Sequence, residues 1–149
     1  MLFRISKTTL EKSQTKAIYG IIGGIVMYAI IGLLGLFLLK FFWTDYAIAT
    51  KDKSYTLSMK LLRLTVGIFA SIFAGITAQI IAKDKGKTAW FVGIIIFCIV
   101  GYNHFFLIWA DYPAWYHLAY LIPIIPVVGS TWYILQSTLL LTTYLYPIA

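Results

Sequence analysis

Four long apolar stretches alternate with short polar connections along this chain. The first, from Ala17 to Leu39, contains no Asp, Glu, Lys, Arg or His. A bilayer core of about 30 Å needs roughly 20 consecutive apolar residues in a helix, and four stretches reach that length. The pattern predicts an all-α, polytopic integral membrane protein with four transmembrane helices in a single membrane domain. The predicted spans cover residues 17–42, 61–82, 88–109 and 114–137.

Both ends of the chain differ from these spans. Residues 1–16 carry four basic side chains and one acidic one, which predicts a basic cytoplasmic tail. At the other end, residues 114–146 are apolar throughout and too long for one straight span at about 1.5 Å per residue. Pro123 and Pro126 each remove a backbone hydrogen bond, so we expect a kinked last helix with a hinge there. Residues 138–149 are then an apolar C-terminal tail.

Composition and charge narrow the class of protein. The chain is 61% hydrophobic and 11% charged, which leaves no room for a sizeable soluble domain. The net charge of +7 comes from residues that flank the spans, which indicates contact with membrane lipids and not with nucleic acid. Cys98 is the only cysteine, so no intramolecular disulfide is possible.

The distribution of basic residues predicts the orientation. The N-terminal tail and the turn at residues 83–87 carry seven Lys or Arg residues, and the opposite side carries five. This bias predicts that both termini lie in the cytoplasm. The basic tail, the basic turn and the Trp109–His117 turn together resemble those of many small bacterial inner-membrane proteins. That resemblance implies a bacterial inner (plasma) membrane but no activity, and an organelle membrane stays open.

Small residues recur at helical spacing in the first two spans. Such residues allow two helix backbones to approach closely in lipid. We interpret them mainly as contacts inside the bundle, with contacts to other integral membrane proteins or to a second copy as the alternative. The predicted packing residues are Gly20, Gly24, Gly32, Gly67, Ser71, Gly75, Ala70, Ala74 and Ala78.

Polar and aromatic residues collect around the turn between the third and fourth spans. His104 and His117 are at similar distances from Asp111 along the chain, so on antiparallel helices they would lie at similar depth. The simplest interpretation is an aromatic belt at the membrane interface. The alternatives are a quinone or lipid headgroup site and a haem or metal site. The candidate ligand-binding residues are Asn103, His104, Asp111, Tyr112 and His117.

No recognised catalytic motif is present, so the sequence leans toward a non-enzyme. The spans place no Asp, Glu, Lys or Arg at membrane depth, which disfavours a proton pump or an ion-coupled transporter. Arg63 and Lys40 near span ends are expected to extend toward the interface. The leading hypothesis is an accessory or scaffold subunit that packs against other membrane proteins. The alternatives are a quinone- or haem-binding redox protein and a small-solute channel or carrier. No cofactor is predicted outright, and no metal ligand is assigned.

Overall fold

The computed structural model describes the backbone of residues 2–145 and the side chains of residues 11–137. Every regular element in this part of the chain is helical, as the apolar pattern predicted. Six α-helices are joined by short turns, and a π-helical segment and a 3-10 turn follow the fourth. In order they are α1 Leu2–Phe42, α2 Thr44–Asp52, α3 Leu57–Ala82, α4 Lys87–Tyr102, the π segment Asn103–Leu107, the 3-10 turn Trp109–Asp111, α5 Ala114–Leu121 and α6 Ile124–Leu145.

Four helical stretches are long and apolar enough to cross a membrane, which confirms the number of candidate spans. They contain 32, 26, 21 and 24 residues. Their outward surfaces are strongly apolar: the side chain of Phe42 is 78% exposed and that of Leu33 is 70% exposed. The four stretches are Glu11–Phe42, Leu57–Ala82, Lys87–Leu107 and Ala114–Ser137.

The helix ends follow local sequence signals. The Thr56 hydroxyl accepts a hydrogen bond from the backbone N–H of Met59 and caps the start of α3. Lys83 ends α3 in the left-handed region at φ 55°. After it, the Asp84 carboxylate accepts hydrogen bonds from the N–H and hydroxyl of Thr88, which fixes the start of α4. The tight basic turn thus connects α3 directly to an antiparallel neighbour.

α3 is the central helix of the bundle. It packs against α1, α4 and α6, and α4 also packs against α6. The buried core between these helices is built from small and β-branched side chains, which permit close approach of the helix axes. Its residues include Ala74, Ala78, Val92 and Val128, none of them exposed.

Three features differ from the sequence-based expectation or refine it. The polar connection after α1, to which the sequence analysis assigned no helix, contains α2, which buries Tyr46 and Ala49. The helical pattern of the last stretch is interrupted between Leu121 and Ile124, and Pro123 lies in that interruption. Pro126 lies in the first turn of α6, where a missing N–H breaks no helical bond. The backbone stays helical to Leu145, and residues 146–149 of the predicted tail lie outside the described part.

Candidate functional site

Most of the predicted small residues form contacts inside the chain. A Cβ on Gly20 would lie 3.0 Å from the backbone oxygen of Ala78, and one on Gly24 would lie 3.0 Å from that of Ala74. These contacts join α1 to α3. Gly75 faces α6, because a Cβ there would lie 2.5 Å from the backbone oxygen of Val128.

The remaining members of these rows also lie in α3, apart from one. A Cβ on Gly67 would lie 2.7 Å from the ring of Tyr120. Four side chains are almost wholly buried: Ala70, Ser71, Ala74 and Ala78. Gly32 is different, because a Cβ there would meet no atom within 4 Å. It borders an open space.

That open space is a cleft of about 490 Å³, and we call it the α1–α4 cleft. It has an apolar wall contributed by α1 and α4 and a polar lining contributed mainly by α3, the π segment and α5. The apolar wall includes Ala29, Leu33, Leu36, Ile99 and Val100. The polar lining includes Tyr28, Arg63, Asn103, His104, Tyr116 and Tyr120.

Two histidines meet beside this cleft. The Nδ1 atom of His104 lies 3.0 Å from the Nδ1 atom of His117, and the two rings are nearly perpendicular. His117 is fully buried and His104 is 4% exposed. His104 belongs to the π segment and His117 to α5, so the chain reverses between them. The structure thus brings together the two residues that were expected to share a depth.

The backbone around His117 determines where the protons of the neutral pair lie. Its Nε2 atom is 3.3 Å from the carbonyl oxygens of both Trp109 and Tyr112. Carbonyl oxygens only accept, so Nε2 carries the proton and Nδ1 is an acceptor. His104 must therefore donate from its Nδ1, which leaves its Nε2 with a free lone pair. Among residues 11–137 the structure gives this Nε2 atom no hydrogen-bond partner.

The π segment orients the first histidine. The N–H of Ile108 donates to the carbonyl of Asn103, five residues earlier, at 3.1 Å. π segments of this kind often occur at functional sites. Asn103 is exposed while His104 beside it is buried. Aromatic rings complete the enclosure, because Trp109 stacks on His117 at 4.5 Å between centroids and Tyr120 contacts His104 at 4.7 Å.

Arg63 is the third component of the polar lining. Its Nε donates to the Tyr116 hydroxyl at 3.2 Å and its Nη1 donates to the Tyr46 hydroxyl at 2.9 Å. Its guanidinium carbon also lies 5.4 Å from the ring centre of Tyr55 and 5.3 Å from that of Tyr112, within cation–π range. Instead of simply extending toward the interface, the side chain is held among four tyrosines.

Three of these tyrosines, Tyr46, Tyr55 and Tyr112, lie outside the four long apolar helices, and burial changes the acidity of two of them. Burial raises the pKa of Tyr46, although the Arg63 guanidinium opposes the shift. Burial also raises the pKa of Tyr112, and a hydrogen bond with Tyr55 adds to this effect. Both hydroxyls therefore stay neutral, and Arg63 gains no charge partner from them.

The other predicted residues lie at the edge of this site. Asp111 forms a 2.7 Å ion pair with Lys53, which ties the turn before α5 to the end of α2. Tyr112 stacks on Tyr55 with 5.1 Å between ring centres. The sequence analysis missed Arg63 and Tyr46. The sequence feature that could have pointed to them was a single arginine just inside an apolar stretch, in a chain that also contains several tyrosines.

The contact between the two histidines limits which cofactors the site can hold. The two Nδ1 atoms are in direct hydrogen-bond contact, so no porphyrin fits between these two rings as they are arranged. Within the described side chains, no group of three or more His, Cys, Asp or Glu residues could hold a metal ion. The cleft has the mixed polar and apolar lining that small organic ligands require.

Comparison of the chain with protein-family models, with curated proteins and with solved structures finds no match.

Proposed function

We propose that this chain is an integral membrane protein that binds an amphipathic small molecule in the α1–α4 cleft. The observation that carries this proposal is the lining of the cleft, where the Arg63 cation and His104 adjoin an apolar wall. A ligand with a polar headgroup and an apolar tail matches both parts. The quinone and lipid headgroup alternatives raised by the sequence both belong to this class.

The proposed location of the protein is the bilayer. Exposed side chains such as Phe37, Phe41 and Phe106 are 60–74% exposed, and burying such surface in hydrocarbon is favourable by roughly 25 cal/mol per Å². We further propose a bacterial inner membrane with both termini in the cytoplasm, on the basis of the seven-to-five bias in basic residues. Labelling of single cysteines introduced at residues 12 and 85, in a Cys98→Ala background, tests the orientation: both are expected to react only from the cytoplasmic side.

Filling the cleft is the test of the ligand proposal. Gly32→Leu places a side chain into open space, because a Cβ there meets no atom within 4 Å. Leu34→Phe is the matched control, since Leu34 is 50% exposed on the same helix and does not line the cleft. The protein is purified in digitonin and titrated with two probes, decylubiquinone and dodecyl phosphate. We expect wild type and Leu34→Phe to bind at least one probe and Gly32→Leu to lose at least about 10-fold in affinity, since the added side chain takes the space of part of the tail.

Two results would contradict the proposal. One is that neither probe binds to the wild-type protein. The other is that Gly32→Leu and wild type bind equally well while both remain folded, as judged by circular dichroism and gel filtration.

A role as a subunit that associates with other membrane chains, or with a second copy, is the second proposal. The observation that favours it is α1, whose outward apolar face is left uncovered by the rest of the chain. The argument from small residues is weaker, since Gly20, Gly24, Gly67 and Gly75 all contact neighbouring helices of the same chain. Native mass spectrometry after mild extraction tests this role, and a monomer without any bound chain would contradict it.

A further inference from the structure

Arg63 is a half-buried cation without an anionic partner in the described part of the chain. The one ion pair there joins Lys53 to Asp111, so Asp111 is already engaged. The groups that contact the guanidinium are two neutral hydroxyls and two aromatic rings. A cation partly removed from water is stabilised far more by an anion than by neutral acceptors.

The guanidinium has hydrogen-bond donors to spare. It carries five N–H groups, and the structure uses one from Nε and one from Nη1. No described residue accepts from Nη2. Because Arg63 lines the α1–α4 cleft, these donors are available to a molecule in the cleft. A planar guanidinium binds phosphate and carboxylate oxygens in a two-pronged arrangement.

From these observations we infer that the ligand is an anionic amphiphile, with a phosphate or carboxylate headgroup on Arg63 and an alkyl or isoprenoid chain along the apolar wall. The inference rests on the proposed function, because it identifies the class of molecule that the same cleft binds. The apolar wall decides between a lipid-borne headgroup and a free anion: Leu33, Leu36 and Ile99 offer nothing to inorganic phosphate but match a hydrocarbon chain.

The test compares headgroup and tail separately. Wild-type protein in digitonin is titrated with dodecyl phosphate, with the neutral dodecanol and with inorganic phosphate, and binding is followed by calorimetry. We expect dodecyl phosphate to bind about 10- to 100-fold more tightly than dodecanol, the range that charge-assisted hydrogen bonds supply. Inorganic phosphate is expected to bind more weakly still.

Substitutions of Arg63 test whether this residue causes the preference for dodecyl phosphate over dodecanol. Arg63→Gln should remove the preference for dodecyl phosphate over dodecanol, and Arg63→Lys should retain most of it because the charge remains. Lys60→Gln is the matched control: it removes a positive charge from the same helix at a position that does not line the cleft, so the preference should stay within about threefold of wild type. If Arg63→Gln does not fold, the wild-type probe comparison and Arg63→Lys still decide the matter.

The outcomes separate this inference from the proposed function. If dodecanol binds as tightly as dodecyl phosphate and Gly32→Leu blocks both, the amphiphile site stands and the anionic headgroup is wrong. If inorganic phosphate binds as tightly as dodecyl phosphate, the ligand is a free anion and the amphiphile is wrong. If Arg63→Gln keeps the full preference, the headgroup is bound elsewhere.

Discussion

Two levels of α1 show opposite kinds of packing within about two helical turns. At Gly24 the helix touches α3 and α4 so closely that a Cβ would lie 3.0 Å from both the Ala74 oxygen and a Val92 methyl. At Gly32 a Cβ would touch nothing, and the cleft opens. The same residue type thus supports close contact at one level and borders empty space at the other. A row of glycines alone does not reveal which of the two it forms.

The largest expected effect comes from adding volume at the closed level. In Gly75→Leu, the new side chain meets the Val128 oxygen and the Thr131 hydroxyl, both 2.5 Å from a Cβ, so α3 and α6 must separate. We expect a loss of about 3 kcal/mol in the free energy of unfolding, or failure to fold. Gly32→Leu is the control and should stay within about 0.5 kcal/mol. Unfolding by SDS in mixed micelles measures both, and equal losses would contradict the contrast.

The next effect concerns the histidine pair. His117→Ala removes a fully buried ring and leaves the carbonyls of Trp109 and Tyr112 and the Nδ1 of His104 without their partner. We expect a loss of about 2 kcal/mol from unsatisfied polar groups and the remaining void. Asn103→Ala, an exposed position in the same region, should change stability by less than about 0.5 kcal/mol. Thermal unfolding in detergent compares the two variants, and a His117→Ala protein as stable as Asn103→Ala would refute the buried pair.

The smallest expected loss of stability comes from breaking the exposed ion pair between Lys53 and Asp111. Lys53→Ala breaks an ion pair in which the lysine side chain is 59% exposed, so solvent screens most of the attraction. We expect a loss of about 0.2–1 kcal/mol that shrinks further at high salt. A double-mutant cycle with Asp111→Asn measures the coupling. A coupling above about 2 kcal/mol would contradict this expectation, because it would mean that the exposed ion pair contributes far more stability than solvent screening allows.

The long apolar helices were predictable because a run of about 20 uncharged residues has one ordinary explanation. α2 was not, because its nine residues mix charges with small side chains and bury only Tyr46 and Ala49. A kink at Pro123 and Pro126 was predicted from the loss of backbone donors; the structure interrupts the helix between Leu121 and Ile124, and the kink itself stays a prediction.

The site was predictable in part. The similar spacing of His104 and His117 from Asp111 indicated a shared depth, and the structure brings their rings into contact. Arg63 could not be assigned in the same way, because its partners Tyr46 and Tyr116 come from α2 and α5, which are distant in the sequence. Only the packing of three helices brings those hydroxyls to one cation.

The carbonyl groups of Trp109 and Tyr112, which accept from His117, also determine the hydrogen-bonding role of His104. Because they keep a proton on Nε2 of His117, the Nδ1 of His104 must donate and its Nε2 is left as an acceptor. Nothing in the cleft itself sets this polarity. A donor at this atom would require a different backbone between Trp109 and Tyr112, because the two carbonyls there accept from His117.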